Sequence, residues 1–349
     1  MALTATLENT GTTLVTAPAR PLNWRDRLTG STGLSFAIAA LAVMAVVSMF
    51  VGVTDVALSD VLRGDSAAWE LLQVSRIPRT AAVMLAGAAM AVAGLIMQLM
   101  VRNKFVEPST VGTIESATLG VLVVTLAFPA AALMAKMGVA ALFALGGTVL
   151  FIAITRTIPV RSTFLIPLVG LMLGGVISAL TTFVAYRVDL LQTLNTWMIG
   201  DFSGVLAGRY ELLWVVALLV AVAFVAADRF TVAGMGADFT TNLGLSYRKT
   251  MVLGMSLVAM IAAVVVVTVG ALPFLGLIVP NLVSLLVGDN ARKAVPWTAV
   301  IGVGLILVCD IIGRTIIYPY EVPVGIVVSV LGAAVFLGML IRLFRKNRA

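Results

Sequence analysis

The stretch Asp228–Thr250, DRFTVAGMGADFTTNLGLSYRKT, breaks an otherwise greasy chain for 23 residues. Its local signals are those of a small folded element. Gly234 and Gly236 open a turn, Asp238 is placed to N-cap a short helix through Leu243, Gly244 follows that helix, and Ser246 caps the next one. Phe239 and Leu243, four apart, share one face of a helix too short to stand alone in water, so they need a surface to bury against. Two readings are open: an ordinary turn between spanning helices, or a docking element for a soluble partner.

What surrounds the stretch narrows the class. The 349 residues are 61% hydrophobic and 11% charged, with a mean hydropathy of +1.11, which excludes an ordinary water-soluble globule. The net charge of +7 sits between apolar runs, where anionic lipid and membrane topology account for it better than nucleic acid does. The single cysteine, Cys309, lies in an apolar run and allows no intrachain disulfide. There is no histidine, which removes His-based zinc sites, Ser-His-Asp catalysis and HExxH chemistry together. No G-x-x-x-x-G-K-[ST] loop is present, so the chain has no such device for ATP, and no cofactor of its own is expected.

Working outward, apolar runs able to span a bilayer, which takes roughly 20 residues, fall at 32–53, 79–100, 113–133, 139–155, 164–186 and 209–228 before the polar stretch. They resume at 250–270, 275–288, 297–313 and 324–341. The reading is an all-α polytopic membrane protein of about ten transmembrane helices, both termini cytoplasmic. Residues 1–31 form a flexible cytoplasmic tail carrying Arg20, Arg25 and Arg27, and 32–349 a single transmembrane domain. The first run is too long for a signal-peptide core and is expected to be retained. A short interfacial helix is expected within 54–75, and a short surface helix holding Trp197 within 189–208.

The positive-inside rule tests the count. With both ends inside, 16 of the 23 basic residues face the cytoplasm, and Arg63, Arg76, Arg79, Lys136, Arg187, Arg209 and Arg314 face out. This arrangement puts Asp228–Thr250 in the cytoplasm. Glycines such as Gly87, Gly94, Gly170, Gly174, Gly302 and Gly304 let helices approach closely where lipid supplies no hydrophobic drive. Pro78, Pro280 and Pro323 mark helix starts or bends.

Ionisable residues inside the spans are scarce. Asp310 is the one carboxylate deep in a run, and Arg314 follows one turn later, so a local ion pair is the simpler account than chemistry. An enzyme is not expected. An ion-coupled secondary transporter remains an alternative, weakened by having only Asp310 to carry an ion. A permease driven by a separate motor protein fits better: the handle at Asp228–Thr250 can dock the motor. Arg76 and Arg79, in R-I-P-R, together with Arg314, either anchor helix ends at the headgroups or offer forks to carboxylates of a delivery protein.

At this point the strings resemble a known family. R-I-P-R-T at 76–80, R-N-K-F-V-E-P-S-T-V-G-T at 102–113, G-A-L-P-F-L-G-L-I-V-P-N-L-V at 270–283, D-I-I-G-R at 310–314 and E-V-P-V-G-I-V at 321–327 are similar, in order, to the iron-siderophore and vitamin B12 permeases of FecCD type. The R-N-K-F-V-E-P-S-T form is similar to the ferric-catecholate branch. The resemblance implies a type II ATP-binding-cassette importer permease in the cell membrane, paired with a copy or a paralogue. Two cytosolic ATPases would bind ATP and dock on the coupling helix Asp238, Phe239, Thr240, Thr241, Asn242, Leu243, Gly244 and Leu245. An extracytoplasmic siderophore-binding protein would dock on Arg76, Arg79 and Arg314. Asn281 departs from the family, which often carries histidine there.

Overall fold

The computed structural model describes residues 30–52, 58–157, 165–208 and 210–346. The tail expected over 1–31 lies outside these but for its last two residues, as do Arg161, Arg209, Arg348 and the first part of the interfacial segment. Every regular element among the described residues is helical, beside an isolated bridge between Ile317 and Tyr320. In chain order the α-helices are α1 (Ser31–Phe50), α2 (Leu58–Leu62), α3 (Ser66–Leu71), α4 (Ile77–Val101), α5 (Thr113–Ala127), α6 (Leu133–Thr157), α7 (Leu165–Arg187) and α8 (Leu191–Met198). They continue as α9 (Trp214–Val225), α10 (Ala227–Gly234), α11 (Ala237–Asn242), α12 (Tyr247–Val269), α13 (Leu275–Val287), α14 (Ala291–Thr315) and α15 (Val324–Lys346).

Among the described residues seven helices are long and apolar enough to cross a membrane, or eight if the bent pair Tyr210–Val225 and Ala227–Gly234 counts as one. Two shorter apolar helices, Thr113–Ala127 and Leu275–Val287, complete the set. The Ala- and Gly-rich α4 is the most enclosed, followed by α12, whereas α1, α7 and α15 expose most of their length. Small residues permit the closest approaches that α4 makes. A Cβ on Gly87 would meet the Gly302 carbonyl of α14 at 3.0 Å, and one on Gly94 would lie 2.1 Å from the Gly276 carbonyl of α13. Backbone meets backbone at both crossings, which lipid-embedded helices use in place of a hydrophobic drive.

Prolines shape the bundle because the carbonyl four residues earlier loses its donor. Pro78 was expected to open a helix. It stands in the first turn of α4, and a π stretch over Leu72–Arg76 joins that helix to α3, so that helical backbone runs from Ser66 to Val101. The freed Val74 carbonyl accepts from Ala207 N at 2.9 Å. Inside α13, Pro280 frees the Gly276 carbonyl, and Gln98 Nε2 of α4 donates to it at 3.1 Å.

The interior ends of α5 and α13 are tied by one carboxylate. Glu107, 1% exposed, accepts from Phe274 N at 2.8 Å and from Ser109 Oγ. Asn281 donates to the carbonyls of Lys104 and Leu277, both at 2.7 Å. Irregular backbone at 102–112 and 270–274 is thus satisfied by protein, the condition for tolerating it among spanning helices. The expected surface helix with Trp197 is α8. The run expected at 209–228 as one span bends by 61° at Ala226, so that Asp228–Gly234 is helix and not turn.

Candidate functional site

Two clusters of the expected residues lie at opposite ends of α4, whose 25 residues make a rod of about 37 Å at ~1.5 Å per residue. At its start, Arg76 and Arg79 meet the end of α14. Arg79 Nη2 and Nε reach Asp310 Oδ1 at 2.8 and 3.2 Å, while Nη1 reaches Glu321 Oε2 at 2.7 Å. Arg314 Nη2 pairs with Asp310 Oδ2 and also donates to Ser48 Oγ. Its Nη1 donates to the carbonyls of Ser48 and Val51 at 2.8 and 2.6 Å. Arg76 Nη1 donates to the same Val51 carbonyl at 2.7 Å.

Within the chain itself the three arginines are engaged rather than free. Arg76, Arg79 and Arg314 are 7%, 8% and 1% exposed, and their guanidiniums are committed within the chain. The cause is the surroundings. The last carbonyls of α1 have no helical donors, and a buried guanidinium must find acceptors. The Asp310–Arg314 pair exists but is not merely local, because Asp310 also serves Arg79. Glu321 was missed as a partner. Three arginines gathered around one aspartate leave excess positive charge, and that excess was the signal for a second carboxylate. The carbonyls of Ser48 and Val51 had no sequence signal at all. Gly52 leaves room for the same cluster: a Cβ there would lie 1.7 Å from Arg76 Nη1 and would have to displace that guanidinium.

At the other end lies the expected handle. Asp238 does not cap the short helix: Gly236, at φ 119° and ψ 167°, is the N-cap, and Asp238 stands in the first turn without a capping bond. A positive φ favours glycine, and the sharp reversal after α10 requires one there. The carboxylate still lies where the helix dipole favours it. Thr240 is buried and its hydroxyl donates to the carbonyls of Gly236 and Val232, pinning α11 against α10. Gly244, at φ 76°, ends the helix, and Ser246 Oγ accepts from Lys249 N to start α12.

With Thr240 holding one face, Phe239 and Leu243 point away, 47% and 57% exposed. Behind them Lys104 bridges Ser284 at 2.8 Å and Asp289 at 3.1 Å. Asp289 is held below its ordinary carboxylate value: partial burial opposes ionisation, but the Ser284 hydroxyl and the Lys104 ammonium outweigh it. Among the described residues no group of three or more His, Cys, Asp or Glu is arranged to hold a metal.

A polytopic helical bundle, clamped by ion pairs at one end and offering an apolar helix face at the other, defines the class of a membrane permease. A profile of the FecCD transport family matches residues 40–342, and the chain belongs to that family. It is 46% identical over 309 residues to the petrobactin import system permease protein YclN of Bacillus subtilis, covering 88% of this chain and 98% of that one. It is 40% identical over 305 residues to the ferric-anguibactin transport system permease protein FatD of Vibrio anguillarum, covering 87% and 97%. The vitamin B12 permease BtuC of Vibrio cholerae is 31% identical over 281 residues, covering 78% and 82%. Among solved structures, an inward-facing metal-chelate type ABC transporter superposes with a TM-score of 0.77 at 22% identity, over 90% of this chain and all of that one, which establishes the fold.

Proposed function

We propose that this chain is the transmembrane permease subunit of an ATP-binding-cassette importer for a ferric siderophore, working by alternating access driven by separate ATPase subunits. The observation that carries the reading is the 46% identity, over 88% of the chain, to a petrobactin import permease. Ten spans with both termini in the cytoplasm accord with the 16 to 7 division of basic residues. The site is the cell membrane. A second permease, identical or paralogous, completes the path, and an ATPase docks on each copy of α11.

Coupling runs through Phe239 and Leu243, which stand about half exposed. An extracytoplasmic binding protein meets the far end. There its carboxylates must exchange with Glu321, the most accessible partner of Arg79 at 24% side-chain exposure, before they can reach Arg79, Arg76 or Arg314.

The test is reconstitution of the permease with its ATPase and binding protein in proteoliposomes. Phe239→Ser with Leu243→Ser is expected to abolish substrate-stimulated ATP hydrolysis while the chain still inserts. Normal stimulation would place the dock elsewhere. Uptake that survives ATP depletion but collapses with an ionophore would replace the motor-driven reading with an ion-coupled one.

A further inference from the structure

Independently of the importer reading, the end of the bundle nearest Asp228 carries a pocket apart from both the α11 face and the arginine cluster. It has a volume of about 640 Å³ and lies between the start of α1, the end of α9, the end of α13 and the start of α14. Its polar side is Arg292 and Lys293, and its apolar side is Leu34, Phe224, Leu286 and Pro296. Arg292 sits 5.5 Å above the Phe224 ring and pairs with Asp228 at 2.8 Å, with both side chains more than half exposed. Lys293 has no ion pair among the described residues. The first N–H groups of α14 are already taken: Thr231 Oγ1 accepts from Ala291, and Asn290 Oδ1 from Arg292 and Lys293. What the pocket offers is therefore side-chain cation beside exposed hydrocarbon.

We propose that this pocket binds an anionic phospholipid of the adjoining leaflet, its phosphodiester on Arg292 and Lys293 and its acyl chain along Phe224 and Leu286. Charge complementarity selects the occupant. The segment 1–29 carries three arginines against Glu8 and Asp26, so its net charge has the pocket's sign. A free phosphate would leave the apolar wall uncovered, whereas a lipid meets both walls, the chemistry expected of basic pockets between helices at a headgroup layer. Binding must also compete with Asp228 for Arg292. Lipid occupancy thereby loosens the first turn of α10, the helix on which α11 is pinned.

Native mass spectrometry of the full-length chain in detergent, titrated with phosphatidylglycerol, phosphatidylcholine or inorganic phosphate, decides the matter. One phosphatidylglycerol is expected to be retained. Arg292→Gln with Lys293→Gln should lower that retention about tenfold, the order carried by one or two basic contacts. Removing the same charge at Arg248 and Lys249 should not, and Asp228→Asn should raise retention by freeing Arg292. Equal loss in both charge-removal variants, displacement by inorganic phosphate, or lipid binding only after deletion of residues 1–29 would overturn the proposal. If the double variant yields no protein, Asp228→Asn decides alone: unchanged retention rejects the site.

Discussion

Replacing Asp310 by asparagine tests the reading of the arginine cluster most directly. The substitution keeps the shape and removes the charge. Asp310 is fully buried and accepts from both Arg79 and Arg314. Asparagine turns one accepting oxygen into a donor aimed at a guanidinium. Arg79 keeps Glu321 at 2.7 Å, but Arg314 is left with neutral acceptors only, the carbonyls of Ser48 and Val51 and the Ser48 hydroxyl. Removing one partner of a buried pair costs ~3–5 kcal/mol. At roughly 2–4 °C per kcal/mol for chains of a few hundred residues, the apparent midpoint should fall by about 10 °C. The assay is thermal denaturation of the purified chain in one detergent at one scan rate, because unfolding of such proteins is seldom reversible. Arg79→Met with Asp310→Leu and Arg314→Met, which removes the whole triad, should recover most of the loss, since packed hydrophobes replace buried ion triads at little net cost. A midpoint shift under about 3 °C for Asp310→Asn, on the same conversion, would refute the argument. So would a triple variant no better than the single one.

Three further outcomes follow from local geometry. Gly94→Ala should destabilise by ~1–3 kcal/mol or more, because the new methyl meets the Gly276 backbone and not a side chain that could yield; Gly146→Ala, with nothing within 4 Å, should be neutral or better. A comparison of the two melting curves checks this. Phe239→Ser with Leu243→Ser should leave the stability of the isolated chain within about 0.5 kcal/mol, since both side chains are exposed; a large drop in midpoint would mean that they pack within the chain and are no dock. Asp289 has a folded value below its unfolded one, so its stabilising contribution is complete above about pH 4 and is lost as pH falls through the folded value. With Asp289 and Lys104 both more than half exposed, that contribution should stay under about 1 kcal/mol. It should be read as the difference in acid stability between the wild type and Asp289→Asn.

The helical class, the positions of the apolar helices and the short helix α11 were legible because periodic hydropathy and turn chemistry are local signals. Gly244 and Ser246 do what their residue types announce. The cap was misplaced by two residues because Gly236 and Asp238 both suit an N-terminus, and only the reversal after α10 selects the glycine. The bend at Ala226 carries no proline or glycine and left no local mark. The buried state of Arg76, Arg79 and Arg314 was illegible for another reason. Apart from Asp310, four residues before Arg314, their acceptors lie 25 to 266 positions away in sequence, and three of those distant acceptors are backbone carbonyls or a serine hydroxyl. Glu107 and Gln98 stood in plain view, but their roles depend on the carbonyls and N–H groups exposed where α13 begins.

These placements also bear on how the two ends of the molecule communicate. α4 leads from Arg76 and Arg79 to Arg102, whose guanidinium lies against Gly236 at the head of α11. α14 runs the other way, from Arg292, paired with Asp228, to Asp310 and Arg314. The two rods are locked together midway where Gly302 meets Gly87, and at one end by Arg79 and Asp310. On the proposed reading, in which a motor docks on α11, motion there is expected to reach the arginine cluster as displacement of a rigid pair, without a chain of flexible side chains between them. A disulfide joining the rods near Gly87 and Gly302 should leave coupling intact on this view, whereas one joining α11 to α4 should abolish it. If the first disulfide stopped transport, the rods would have to slide on each other, and the locked-pair account would be wrong.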